Sequence, residues 1–190
     1  MEYLVIVIGA ILVNNIILAQ FLGICPFLGV SKSIDTAVGM GAAVLFVISL
    51  ATVVTFMIHH LVFVPFQIEF MRTVTFILVI ASLVQMVEII MKKISRGLYQ
   101  ALGVFLPLIT TNCAVFGVAI LVIQKEFNFM ETLVFAVATS IGFILALVIF
   151  AGIRERLEMV EIPEGMKGAP IALVAAGLLS LSFMGFSGLV

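Results

Sequence analysis

The chain has 190 residues, of which 64% are hydrophobic and only 10% are charged, with a formal net charge of −1 and a mean hydropathy of +1.41. Soluble domains carry about 25% charged residues, so this composition excludes a soluble globular fold and implies an all-α integral membrane protein. No basic patch points to nucleic acid, and the partner that the composition demands is the lipid bilayer.

A helix crosses a hydrocarbon core of about 30 Å with about 20 apolar residues. Six segments meet that length, at 3–30, 36–58, 73–91, 98–123, 132–152 and 170–190. The loops between them are too short for a soluble domain, so 1–190 is expected to be a single membrane domain. Met1-Glu2 lacks a positive n-region and no A-x-A site follows, so the first segment is expected to be retained as a span.

Segments one and four are too long for simple spans, and each contains a proline. Pro26 cannot donate to the Leu22 carbonyl, nor Pro107 to that of Gly103, so both helices are expected to break there. A freed carbonyl in lipid is costly unless protein groups satisfy it. Asn14, Asn15 and Gln20 lie upstream of Pro26, and Thr110, Thr111 and Asn112 follow Pro107. These polar groups are expected to support the breaks. An ordinary proline kink, with amides joining neighbouring helices, is the other reading.

Basic residues set orientation. With six spans, one side holds Arg72 and Lys125, and the other holds Lys32, Lys92, Lys93, Arg96, Arg154, Arg156 and Lys167. The richer side is expected to face the cytoplasm, which leaves both termini outside.

The stretch 14–32, NNIILAQFLGICPFLGVSK, returns in the second half as 102–120, LGVFLPLITTNCAVFGVAI. Each copy carries one of the two cysteines, and each cysteine opens C-x-x-x-G-V: Cys25, Gly29, Val30 and Cys113, Gly117, Val118. Three spans per half is an odd number, so a duplicated half inserts upside down. The expected fold is two inverted three-helix repeats, about 1–95 and 96–190, with broken first and fourth helices. Such repeats place their site on discontinuous helices from both halves.

A buried cysteine is most often a small apolar filler, but matching positions in a repeat favour a shared site. No histidine or carboxylate lies near either one, which disfavours zinc. Iron–sulfur clusters take thiolates, usually four, so a cluster here needs two more from another protein chain. Glu88 lies in the third span, and an ionisable residue there is a candidate for an ion or proton site. An interfacial pair with Lys92, at i+4, is the alternative. His59-His60 reads as an interfacial pair, and Arg154-Glu155-Arg156 as a solvated cluster that sets topology. Gly39, Gly41 and the closing GFSG fit close helix packing.

Four stretches, FLGICPFLGVSK (21–32), LGVFLPLITTNCAVFGVAI (102–120), IRERL (153–157) and GLLSLSFMGFSGL (177–189), together resemble the A-subunit family of the Rnf complex. That complex is the bacterial ion-translocating ferredoxin:NAD oxidoreductase. The resemblance runs nearly end to end. The D and E subunits of the sodium-pumping NADH:quinone oxidoreductase share the layout, but the wording TTNCAVFGV is more similar to the Rnf family. The resemblance implies a redox-driven translocase subunit in the bacterial cytoplasmic (inner) membrane, not catalytic alone. It implies pairing with an oppositely oriented sister, the E subunit in Rnf, beside the B, C, D and G subunits. Each of the pair would give two cysteines to one intramembrane 2Fe-2S cluster, here Cys25 and Cys113, and Glu88 would lie on the path of the coupled Na+ or H+. An E-type subunit of the quinone-reducing complex and a metal-free inverted-repeat secondary transporter are the alternatives.

Overall fold

The structure, a computed structural model, describes residues 2–31, 33–63, 69–94, 108–109, 112–161 and 163–188. Among these residues every regular element is helical. Helix α1 (Glu2–Ile8) runs into a π-helical turn, Gly9–Val13, which stops at Asn14. An irregular stretch then leads to the short helix α2 (Ile24–Val30). Helix α3 (Ile34–Ile58) is extended by a second π-helical turn, His59–Phe63. Helices α4 (Arg72–Ile94), α5 (Cys113–Gln124), α6 (Phe129–Glu158) and α7 (Ala169–Met184) complete the described chain.

Local chemistry sets several of these ends. The Asn128 N–H donates to Glu131 Oε2 at 2.9 Å, which holds the first turn of α6. Pro170 lies in the first turn of α7, where its missing N–H costs nothing. The segments Ile34–Leu61, Arg72–Ile90 and Phe129–Glu158 are long and apolar enough to cross a membrane, and Tyr3–Val13, Cys113–Gln124 and Ala169–Met184 are shorter apolar helices. The 30 residues of α6 extend about 45 Å at 1.5 Å per residue, more than a hydrocarbon core requires.

At the centre, α3 lies along α6. Ala37, Met40, Val44, Ile48 and Ala51 of α3 are buried, as are Phe143, Ala146, Leu147, Phe150 and Ala151 of α6. Around this pair, α1 packs on α6, and α5 on α3. Helix α4 lies against α3 and α5, while α7 lies against α6 and the Gly9–Val13 turn. Large apolar side chains also cover the outside, including Leu4, Phe46, Leu78, Leu178 and Leu181. Helices apolar on every face suit a lipid solvent.

Among the described glycines, Gly142 is the one where an added Cβ would press on main-chain atoms of another helix. A Cβ there would lie 3.1 Å from Ile11 Cα and 3.2 Å from the Ala10 carbonyl oxygen, whereas one on Gly39 would meet nothing within 4 Å. Main-chain atoms cannot swing aside as a side-chain tip can. Gly142→Leu is therefore expected to destabilise the detergent-solubilised protein by about 1–3 kcal/mol through overpacking, with a lower thermal midpoint. Gly39→Leu is expected to leave that midpoint unchanged or raised.

Candidate functional site at the interrupted helix

Between Asn14 and Gly23 the first apolar segment is not helical, yet Asn15, Ile16, Ile17 and Leu18 are buried. Irregular backbone in such a place must find hydrogen-bond partners within the protein. Asn14 N–H closes the π-helical turn on the Gly9 carbonyl at 2.7 Å. Asn15 Nδ2 donates to the Ile11 carbonyl at 3.1 Å and to the Gly142 carbonyl of α6 at 2.8 Å, while its Oδ1 accepts from Ile17 N–H at 3.1 Å. The Ala19, Phe21 and Leu22 N–H groups bond the Asn15, Ile17 and Ile16 carbonyls. Ser180 Oγ of α7 donates to the Leu18 carbonyl at 2.5 Å. Asn14 and Gln20 are exposed and line a cavity of about 430 Å³ together with Thr139 and Lys125.

The chain re-enters a helix through two left-handed residues, Phe21 (φ +56°) and Gly23 (φ +85°). Only glycine fits at position 23, because a Cβ would lie 2.8 Å from the Phe143 ring and 3.2 Å from Ala114 Cβ. The sequence places this break at Pro26, but the interruption begins at Asn14. Pro26 lies within the first turn of α2, where its absent N–H removes no intrahelical bond.

Gly23 N–H donates to Cys113 Sγ at 2.8 Å. This bond joins the turn that launches Cys25 to the residue that begins α5. Both cysteines are free thiols, Cys25 exposed and Cys113 half-buried. Asn112 caps α5, its Oδ1 accepting from Ala114 N–H at 3.0 Å. The two motifs also interlock: a Cβ on Gly29 would meet Leu108 Cδ1 at 3.7 Å, and one on Gly117 would meet Leu22 Cδ1 at 2.6 Å. Val30 and Val118, which close the motifs, are both buried. Among the described residues, no three His, Cys, Asp or Glu side chains come together as a metal site.

Arg154 departs from the solvated cluster expected of it. Its Nη1 donates to the Leu28 carbonyl and to Ser31 Oγ, both at 2.8 Å, so it closes the C-terminal end of α2. Phe27 stacks on Phe150 one turn before it, with ring centroids 4.2 Å apart. Sequence reasoning missed this clamp because a cation in an R-E-R run carries no local signal of a distant acceptor. Its neighbours Glu155 and Arg156 are exposed, as expected. Glu88 is half-buried on α4, and His60 stacks on Phe56 of the preceding turn. Pro107, Thr110 and Thr111, together with Lys32 and Arg96, lie outside the described residues.

Among the described residues, three helices long and apolar enough to cross a membrane, together with a buried, internally bonded irregular stretch, are the features of a membrane protein. The chain matches the family described as "Rnf-Nqr subunit, membrane protein" over residues 3–190, and it belongs to that family. It is 57% identical over 187 residues to the A subunit of the ion-translocating oxidoreductase complex of Syntrophotalea carbinolica, covering 98% of this chain and 97% of that protein. It is 56% identical over 189 residues to the A subunit of the Na(+)-translocating ferredoxin:NAD(+) oxidoreductase complex of Acetobacterium woodii, covering 100% of this chain and 98% of that one. The A subunit of the ion-translocating oxidoreductase complex of Vibrio cholerae is 51% identical over 189 residues, with the same coverage.

Asn15 joins two carbonyls that have no other side-chain donor among the described residues. Asn15→Leu keeps the volume and removes the donor. It is expected to cost about 1–3 kcal/mol, read as a lower thermal midpoint in detergent, and to increase hydrogen exchange in α1 and the Asn14–Gly23 stretch.

Proposed function

We propose that this chain is the A-type membrane subunit of an ion-translocating ferredoxin:NAD oxidoreductase complex, and that it carries electrons across the membrane coupled to Na+ or H+ transport. In this proposal Cys25 and Cys113 supply half the ligands of a 2Fe-2S cluster, and an oppositely oriented sister subunit supplies the rest. Full-length identity to A subunits of ion-translocating oxidoreductase complexes, that of Acetobacterium woodii being a Na(+)-translocating ferredoxin:NAD(+) oxidoreductase, supports the assignment. The observation that carries it to particular residues is the Gly23 N–H to Cys113 Sγ bond, which ties the two cysteine-bearing junctions together.

The residues present fit such a group. Both thiols are free, and Cys25 is exposed where a sister chain can reach it. Backbone N–H to sulfur bonds are a normal part of iron–sulfur ligation. Asn112, at 3% exposure, has a side-chain nitrogen with no hydrogen-bond partner among the described residues. When bound, the cluster would supply one-electron transfer partway through the membrane. The protein's own part is to hold Cys113 Sγ by Gly23 N–H, to anchor α2 at its far end through Arg154, and to keep water away with Phe27, Phe143 and Phe150.

The inverted repeat belongs to the same proposal, with six spans and both termini on the outer side of the bacterial inner membrane. Its support is the exchange of partners between the halves. Helices α1 and α6 pack as α5 and α3 do, and α7 lies on α6 and the end of α1 as α4 lies on α3 and α5. Glu88 on α4 is assigned to the ion path because a half-buried carboxylate on an apolar helix is costly without a role. Ion coupling is assigned to relative motion of the two interrupted segments. A cross-link between α2 and α5 is then expected to stop ion transport, and full transport in the cross-linked complex would exclude this coupling.

The ligand assignment is tested on the complex purified with its sister subunits, by EPR and iron content with and without dithionite. Cys25→Ser and Cys113→Ser are each expected to abolish one 2Fe-2S signal. Unchanged iron and spectra in both variants would remove the ligand assignment and leave a metal-free transporter as the better account.

A further inference from the structure

The unpartnered amide of Asn112 is the sharpest chemical anomaly among the described residues. Its Oδ1 is committed to Ala114 N–H at 3.0 Å. That bond fixes the orientation of the carboxamide, since a flipped amide would set two donors against each other. Among the described residues Nδ2 is left buried and without a partner. A buried amide donor with nothing to bond costs about 1–3 kcal/mol, and native interiors rarely keep one without cause. A cap alone does not need the nitrogen, because serine or aspartate caps a helix as well as asparagine.

The surroundings narrow the acceptor. Asn112 directly precedes Cys113, and a Cβ on Gly23 would lie 3.4 Å from Asn112 Oδ1. The carboxamide therefore sits beside the same Gly23 whose N–H already bonds Cys113 Sγ. Among the described residues nothing at this junction accepts from Nδ2, and a sulfur of the proposed cluster, held beside it by Cys113, would be such an acceptor.

We infer that Asn112 Nδ2 donates a hydrogen bond to a sulfur of the 2Fe-2S cluster and so raises its reduction potential. The inference rests on the cluster assignment above and adds a positioning and tuning residue to it. Reduction adds one negative charge to the cluster, and an N–H donor stabilises the more negative form, so losing the donor lowers the potential. Together with Gly23 N–H, Asn112 would give this half of the site one backbone donor and one side-chain donor.

The test uses the intact complex with Asn112→Ser, which keeps a capping oxygen and removes the amide nitrogen. EPR-monitored redox titration is expected to show the cluster present, with its midpoint moved to lower potential. In complex labelled with 15N at the asparagine side-chain amide, pulsed EPR is expected to show a nitrogen coupling to the reduced cluster that disappears in Asn112→Ser. A cluster with unchanged midpoint and no asparagine coupling would overturn the role of Asn112 while leaving the cluster assignment intact. Absence of any cluster from the unmodified complex would overturn both. Asn112→Thr, which also keeps a capping oxygen and adds no charge, guards against a folding defect. It is expected to lower the midpoint potential as Asn112→Ser does, and an unmoved potential in both variants would count against the inference.

Discussion

A peptide group buried away from water must be hydrogen-bonded inside the protein, and the Asn14–Gly23 stretch meets that demand with very few side chains. Asn15 is the key one, since it bonds a carbonyl of its own helix and one of α6 at the same time. Ser180 supplies the counterpart from α7. Gly142 belongs to the same device, because only without a Cβ can α6 bring its carbonyl so close to α1. With these contacts in place the chain can leave helical geometry, turn through Phe21 and Gly23, and start α2 inside the bundle.

The cysteine motif gains a physical meaning from this arrangement. Residues four apart lie on the same helical face, so each motif glycine lies one turn beyond its cysteine. Those glycines admit Leu108 and Leu22, which come from the opposite junctions. The motif therefore encodes a thiol at the helix start and a slot below it for the other half. Arg154 closes the far end of α2 with charge-assisted bonds, which are stronger than neutral ones, and Phe27 on Phe150 fixes its face.

Much of this was readable before any coordinates. Composition identified the membrane, the first apolar segment was expected to break with the amides upstream of Pro26 supporting the break, and the paired cysteine motifs carried the family resemblance. The position of the break was not readable in the same way. Proline is the strongest local breaker, so Pro26 drew the expectation, whereas the chain uses a π-helical turn and Asn14 and keeps Pro26 where a helix tolerates it. Arg154 was equally opaque, because its acceptors lie on a helix from the opposite half of the sequence.

The sequence by itself determined the solvent, the helical class and the residue types available at the junction. These follow from apolar content and from short-range spacing, which act within a turn or two of the chain. Only the tertiary structure decided that Asn15 bonds Gly142 across 127 positions, that Gly23 bonds Cys113 across 90, and that one nitrogen of Asn112 is left over. Hydrogen bonds between distant segments depend on how close two backbones can come. That closeness is set by packing around Gly23, Gly117 and Gly142 and leaves no period in the sequence to read.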